Sequence, residues 1–159
     1  MPRWRKRWTG VSSVRLVDLN ILLYAVNADS ELHPRAKPWL ENTIGGSEGV
    51  AMAWIVILGF LRIVTSRRVF TQPHDPDAAI AIVEGWLARP NVVLLNPGPN
   101  HWRVLQSLLS EAGSAGNLTS DAHLAALAIE HDCELCSADA DFSRFRRLSW
   151  VNPLAPAES

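Results

Sequence analysis

The sequence predicts an α/β fold: an open, mostly parallel sheet with helices on both faces. Three observations lead there. Short apolar, β-branched runs alternate with longer runs of helical spacing, which is the pattern of β-α-β units. At 159 residues and 17.6 kDa the chain has room for one core and not for two. Its 48% apolar and 19% charged residues are the balance of a globular domain. Only nine Gly and ten Pro are present, which argues against collagen-like and low-complexity classes.

The elements follow in order. Residues Val14–Val17 read as a strand that ends at Asp18, and Leu19–Val26 is dense enough in apolar side chains for a buried helix. A turn at Asn27–Ser30 leads to a helix over His33–Thr43, with Ala36, Trp39 and Leu40 at helical spacing and Gly45-Gly46 to end it. Gly49–Met52 is a short strand, and Trp54–Thr65 is an apolar helix. The uncharged run Val50–Leu61 stops at Arg62, short of the roughly 20 apolar residues a spanning helix needs. No membrane segment is expected, and this helix should be buried or pack on a partner.

Asp77 is expected to open a helix reaching about Ala88, with Ala78, Ile82, Val83 and Trp86 inward. Asn91–Leu95 is a strand ahead of the turn Pro97-Gly98-Pro99, and Asn100–Ala112 is helical through Trp102, Leu105, Leu108 and Leu109. After Gly113–Gly116, Thr119 or Ser120 should cap a helix over Asp121–His131. Glu134–Ser137 is a strand, Asp141–Arg147 a short turn or helix, and Trp150–Val151 a last strand. Trp54, Trp86 and Trp102 sit on apolar faces and read as core. The domain therefore spans 14–153, between a basic extension at 1–13 and a tail at 154–159.

Net charge is −1, but the first 15 residues carry Arg3, Arg5, Lys6, Arg7 and Arg15 with no acid, leaving 10 bases against 16 acids elsewhere. The head lacks an apolar run and a small-residue cleavage site, so a cytoplasmic address is expected. It reads either as an arm for nucleic-acid or membrane phosphate, or more simply as an extension ahead of the fold. Cys133 and Cys136 form a C-E-L-C pair at the entrance to a strand rather than at a helix start. No second Cys pair exists to complete a zinc site, so two buried or half-buried thiols are expected.

In open parallel sheets the functional crevice lies outside the carboxyl ends of the strands. Asp18 closes the first strand, Asp121 sits in the first turn of a helix, and Asp139 and Asp141 follow the strand Glu134–Ser137. Alone, Asp121 or Asp141 could cap a helix or turn, and Asp139 could be solvated in a loop. Asp18 has little structural motive between an apolar strand and an apolar helix. Together, crowded carboxylates repel one another, and a divalent cation resolves that conflict. Oxygen donors without a His/Cys set favour Mg²⁺.

Three segments carry a family resemblance. Val17-Asp18-Leu19-Asn20-Ile21-Leu22-Leu23-Tyr24-Ala25 resembles the opening of a PIN domain. Leu118-Thr119-Ser120-Asp121-Ala122-His123-Leu124 resembles its central acid motif, and Cys136-Ser137-Ala138-Asp139-Ala140-Asp141-Phe142 its closing motif. Phe60-Leu61-Arg62-Ile63 and Phe142-Ser143-Arg144-Phe145 further resemble the VapC-type toxins of bacterial toxin–antitoxin pairs. The resemblance implies a parallel five-stranded sheet and a Mg²⁺- or Mn²⁺-dependent endoribonuclease that leaves a 3′-hydroxyl and a 5′-phosphate. It also implies a VapB-like antitoxin partner, an RNA substrate and a homodimer. By position, Asp18, Asp121 and Asp139 would be metal ligands and Asp141 a weaker member of the catalytic set. Asn20, Thr119 and Ser137 would orient ligands or water. An acidic crevice alone repels RNA, so bases should rim it: Arg144, Arg146 and Arg147 lie just beyond Asp141, and Arg62, Arg67 and Arg68 end the apolar helix, although either group could equally be ordinary solvated charge.

The sequence departs from the family at Gly59, which stands where most members carry a Glu, and no acid in 51–68 replaces it. Glu41 or Glu48 could serve only by a coincidence of folding. His123, close behind Asp121, diverges from it on a helix and should be packed or solvent-facing. A phosphatase of the haloacid dehalogenase class would need Asp-x-Asp, and Asn20 stands at the second position. The remaining alternative is a catalytically weak or inactive PIN-like module that binds RNA or a partner.

Overall fold

Arg15–Val17 (β1) forms the middle of the sheet, with Leu16 and Val17 fully buried. The structure, a computed structural model, describes residues 14–157, so the basic extension at 1–13 lies outside the described residues. Chain order continues through α1 (Leu19–Val26), α2 (His33–Gly45), β2 (Val50–Ala53), α3 (Trp54–Val64) and α4 (Pro76–Leu87). It ends through β3 (Val92–Leu95), α5 (His101–Ala112), α6 (Thr119–His131), β4 (Glu134–Cys136) and β5 (Trp150–Val151).

The five strands lie in the order β3-β2-β1-β4-β5, and every pairing is parallel. The expected α/β sheet is therefore present. Helices α1 to α4 pack among themselves, and α5 packs on α6. Right-handed crossovers put these two groups on opposite faces. All four residues of β2 are buried, as expected of an inner parallel strand covered on both sides.

The chain moves outward from β1 through β2 to β3, then crosses back to place β4 on the other side of β1. The switch point of the sheet thus falls between β1 and β4, where a crevice opens at the carboxyl ends. Register pairs Val17 with Cys136. The next residues, Asp18 and Ser137, leave the sheet side by side, and the Asp18 amide donates to the Cys136 carbonyl at 3.0 Å.

Several boundaries differ from the sequence reading. Asp75 rather than Asp77 starts α4, because its carboxylate accepts the Ala78 amide at 2.8 Å while Pro76 takes the first helical position. Neither Thr119 nor Ser120 caps α6; a 3₁₀ turn at Gly116–Leu118 runs into it, and Thr119 is its first residue. Past β5, Leu154 is buried and its carbonyl accepts from the Arg35 guanidinium at 3.1 Å.

Helix α3 buries Val56, Ile57, Phe60 and Val64, but Trp54 and Leu58 face outward at 51% and 59% exposure. Trp102, read as core, is 68% exposed. Its neighbour His101 takes the inward position at the start of α5 instead. Trp86 does pack inward, edge-on to the buried Phe60 with ring centroids 4.8 Å apart. Among the described residues, no helix is long and apolar enough to cross a membrane.

Candidate active site

The site is organised around one hydroxyl. Ser137 is fully buried just past the end of β4. Its Oγ donates to Asp18 Oδ2 at 2.7 Å and accepts from Asn20 Nδ2 at 3.1 Å and from the Asp139 amide at 3.0 Å. One donor and two lone pairs are thereby all used. Asn20 Oδ1 in turn accepts the Ala138 amide at 3.3 Å. Trp150 Nε1 donates to the Ser137 carbonyl at 3.0 Å, so β5 braces the same turn. Ser137→Ala would leave two donors without their acceptor, at a cost of about 1–3 kcal/mol. Urea unfolding of the variant should show that loss.

Two more bonds fix the carboxylates. Asp18 Oδ1 accepts the Leu19 amide at 2.7 Å, at the start of α1. Asp139, not Asp141, caps the 3₁₀ turn over Ala140–Arg144, accepting the Asp141 amide at 2.9 Å. Phe142, fully buried at the centre of that turn, anchors it to the core.

Burial pushes the Asp18 carboxyl above its ordinary range; the bonds from Ser137 and Leu19 oppose the rise, and the charge of Asp139 adds to it. Asp121, in the first turn of α6, is pushed from 3.8 up to about 6, first by burial and then by the charges of Asp139, Asp18 and Asp141. Three distant segments thus share one electrostatic environment. Among the described residues, no Lys or Arg forms an ion pair with Asp18 or Asp121. Neither do three Asp, Glu, His or Cys side chains among them already stand in a metal-ligating arrangement. The carboxylates are neighbours in charge without forming a closed cage.

The other expected members divide. Asn20 and Ser137 belong to the hydrogen-bond hub. Asp141 is exposed at the rim, 3.8 Å from the Arg144 guanidinium. Thr119 is exposed and makes no side-chain hydrogen bond to the hub among the described residues. Glu48 pairs with Arg15 at 2.9 Å and Glu41 lies 3.6 Å from Lys37, so both carboxylates are engaged elsewhere. At Gly59 a Cβ would come within 2.7 Å of Leu19 Cδ2. The Leu19 side chain fills the space that a residue larger than glycine would enter.

The sequence reading missed one contributor. Trp150 was placed only in a strand, although a part-buried indole seeks an acceptor for its N–H. His123 is packed, and its Nδ1 lies 2.9 Å from Nε2 of His101. His101 Nδ1 in turn lies 3.2 Å from Glu130, so this chain ties α6 to α5. Cys133 and Cys136 are buried; the Cys133 thiol donates to the His131 carbonyl at 3.7 Å, and burial pushes the Cys136 thiol up to about 12, which keeps it unreactive. They are the two buried thiols that were expected.

A parallel sheet of order 3-2-1-4-5, with acids gathered at its β1/β4 switch point, defines a carboxylate-centred α/β domain. The chain belongs to the PIN-domain family, whose model matches residues 15–148. It is 43% identical over 142 residues to Ribonuclease VapC37 of Mycobacterium tuberculosis, covering 89% of this chain and 99% of that one. It is 44% identical over 137 residues to Ribonuclease VapC33 of the same organism, covering 86% and 96%. Its fold is similar to VapBC2 from Rickettsia felis bound to a promoter DNA fragment, with a TM-score of 0.65 and 18% identity over 87% of this chain and 98% of that one. Mycobacterium tuberculosis VapC20, a Sarcin-Ricin loop cleaving toxin, gives a TM-score of 0.62 at 19% identity, covering 81% and 92%.

Proposed function

We propose that this protein is a divalent-metal-dependent endoribonuclease and the toxin of a VapBC-like toxin–antitoxin pair. What supports the reading is that Ser137 joins the Asp18 carboxylate to the backbone of Asp139 past the ends of β1 and β4. The charges of Asp139 and Asp18 bear on Asp121, and no Lys or Arg pairs with Asp18 or Asp121 among the described residues. The ribonuclease names of the curated relatives support the activity. Toxin–antitoxin complexes among the structural neighbours support a VapB-like partner.

The donor set suits a hard cation. Asp18, Asp121 and Asp139 offer oxygen ligands, and Mg²⁺, with Mn²⁺ as substitute, completes its shell with water and substrate phosphate rather than needing an all-protein cage. When bound, such an ion supplies Lewis acidity toward a phosphoryl oxygen and lowers the pKa of water toward neutrality. Ser137 and Asn20 hold Asp18 and the backbone of Asp139 in place. Asp141 sits at the rim, and Thr119, at the mouth of α6, would help orient water. Arg144 would meet a substrate phosphate. Trp54 and Leu58, the outward residues of α3, offer an apolar contact for the antitoxin or for a second copy in a homodimer. A cytoplasmic address accompanies this role.

Cleavage of RNA by purified protein, dependent on added Mg²⁺ or Mn²⁺ and abolished by EDTA, is the direct test. Equal cleavage in EDTA, or none with either ion, would contradict the proposal. A second expectation concerns protons. Because protons compete with a cation for Asp121, Mn²⁺ should raise the melting temperature more at about pH 7.5 than at about pH 5.5. Thermal unfolding with and without the ion at both pH values measures this.

A further inference from the structure

A cavity of about 510 Å³ is lined by Glu111, Arg144, Arg146 and Arg147, the second of which lies 3.8 Å from Asp141 at the rim of the acidic centre. Three guanidinium groups face one carboxylate there, so the wall is cationic. Its geometry is held from two sides. Arg147 donates to Ser107 Oγ and lies 3.5 Å from Glu111 Oε1, which ties it to α5. Arg144 is only loosely held, 3.8 Å from Asp141. Arg146 is exposed and forms no ion pair with an acid among the described residues.

We propose that this cavity seats a phosphate of single-stranded RNA adjacent to the one being cut, with Arg146 and Arg147 as its principal donors. The inference rests on the ribonuclease reading and assigns the substrate a place on one side of the acids. A carboxylate centre repels a polyanion, so a strand approaching it needs a cationic seat nearby. Arg144, which lines the cavity, lies 3.8 Å from Asp141, whose charge reaches Asp121, so the cavity and the acids share one rim. Guanidinium forks match phosphate oxygens in two-point geometry, and Arg147 is already oriented by Ser107 and Glu111. The exposed position of the cavity suits a flexible strand that binds mainly through its backbone.

The test uses the full chain in EDTA, so that binding is separated from cleavage. The probe is a fluorescein-labelled pool of random-sequence oligoribonucleotides of about ten nucleotides. The double variant Arg146→Ala/Arg147→Ala should bind on the order of tenfold more weakly. Its dependence of log K on log salt should be shallower by about 1. Arg146→Lys/Arg147→Lys should restore the salt slope, with affinity between the two. Thermal unfolding checks that each variant is folded, and Arg89→Ala, in the turn just after α4, controls for loss of any surface charge.

Unchanged affinity and slope in the double alanine variant would overturn the seat, as would wild-type protein that binds no RNA, or Arg89→Ala matching the loss. A seat lost with the arginines in a wild-type protein that binds but never cuts would leave the inference standing and defeat the nuclease reading instead. If the variant lost antitoxin binding while RNA binding stayed unchanged, the cavity would belong to the partner protein and the inference would fall.

Discussion

Asp121→Asn is expected to abolish cleavage and, at the same time, to stabilise the metal-free protein. The first effect follows from the ligand role proposed for this carboxylate. A Lewis-acidic cation supplies several kcal/mol of transition-state stabilisation, so losing a ligand should lower the rate on the order of 10²–10⁴-fold. The second follows from the raised pKa. Since Asp121 titrates at about 6 in the folded chain and 3.8 is its ordinary value, the folded state holds the proton more tightly. Stability is therefore lost as pH rises through the window from 3.8 to about 6.

An uncharged Asn escapes that loss. In EDTA near neutral pH the variant should melt on the order of a few degrees above the wild type. The difference should shrink as pH falls below about 6, where the wild-type carboxyl becomes protonated as well. Calorimetry across pH, paired with a cleavage assay, reads both effects. A variant that melts lower at every pH would mean that Asp121 is a structural helix-start residue. Asp18→Asn should also lose cleavage, but with a smaller gain in stability, because its oxygens accept two short hydrogen bonds.

Phe142→Ala should lose about 3–5 kcal/mol, the usual cost of emptying a large aromatic site. Phe142 is fully buried, its ring centroid 6.3 Å from that of Phe145, in the turn capped by Asp139. Against a typical domain stability of about 5–15 kcal/mol, such a loss threatens folding itself. For that reason Phe142→Leu, which removes fewer buried atoms and leaves a smaller cavity than the alanine change, is the informative companion. It should remain folded but cleave more slowly, since the turn that holds Asp139 and leads to Arg144 would repack. Urea unfolding gives the energies. If Phe142→Leu cleaves at the wild-type rate, the turn is not what positions the acids.

Much of this was legible in the sequence, for identifiable reasons. The strands showed because their β-branched and apolar runs are bounded by turn residues, and Asp18 stood out because an acid between two apolar runs is costly. Asp139 was recognisable as part of the acidic group, but its second duty as a cap was not. Whether Asp139 or Asp141 caps the turn depends on a backbone difference of two residues. The tryptophans misled for a different reason: helical spacing gives a face but not what covers it. Trp54 and Trp102 lie on the outer side of their helices, whereas Trp86 meets Phe60. Nor does spacing reveal that Leu19 reaches the space beside Gly59, a contact between residues 40 positions apart.

The most direct measurement is a crystal of the wild-type protein soaked in Mn²⁺ and examined for anomalous scattering. The account predicts a peak between the carboxylates of Asp18, Asp121 and Asp139, absent from crystals of Asp18→Asn treated alike. Manganese bound elsewhere on the surface, with nothing among those three side chains, would contradict it.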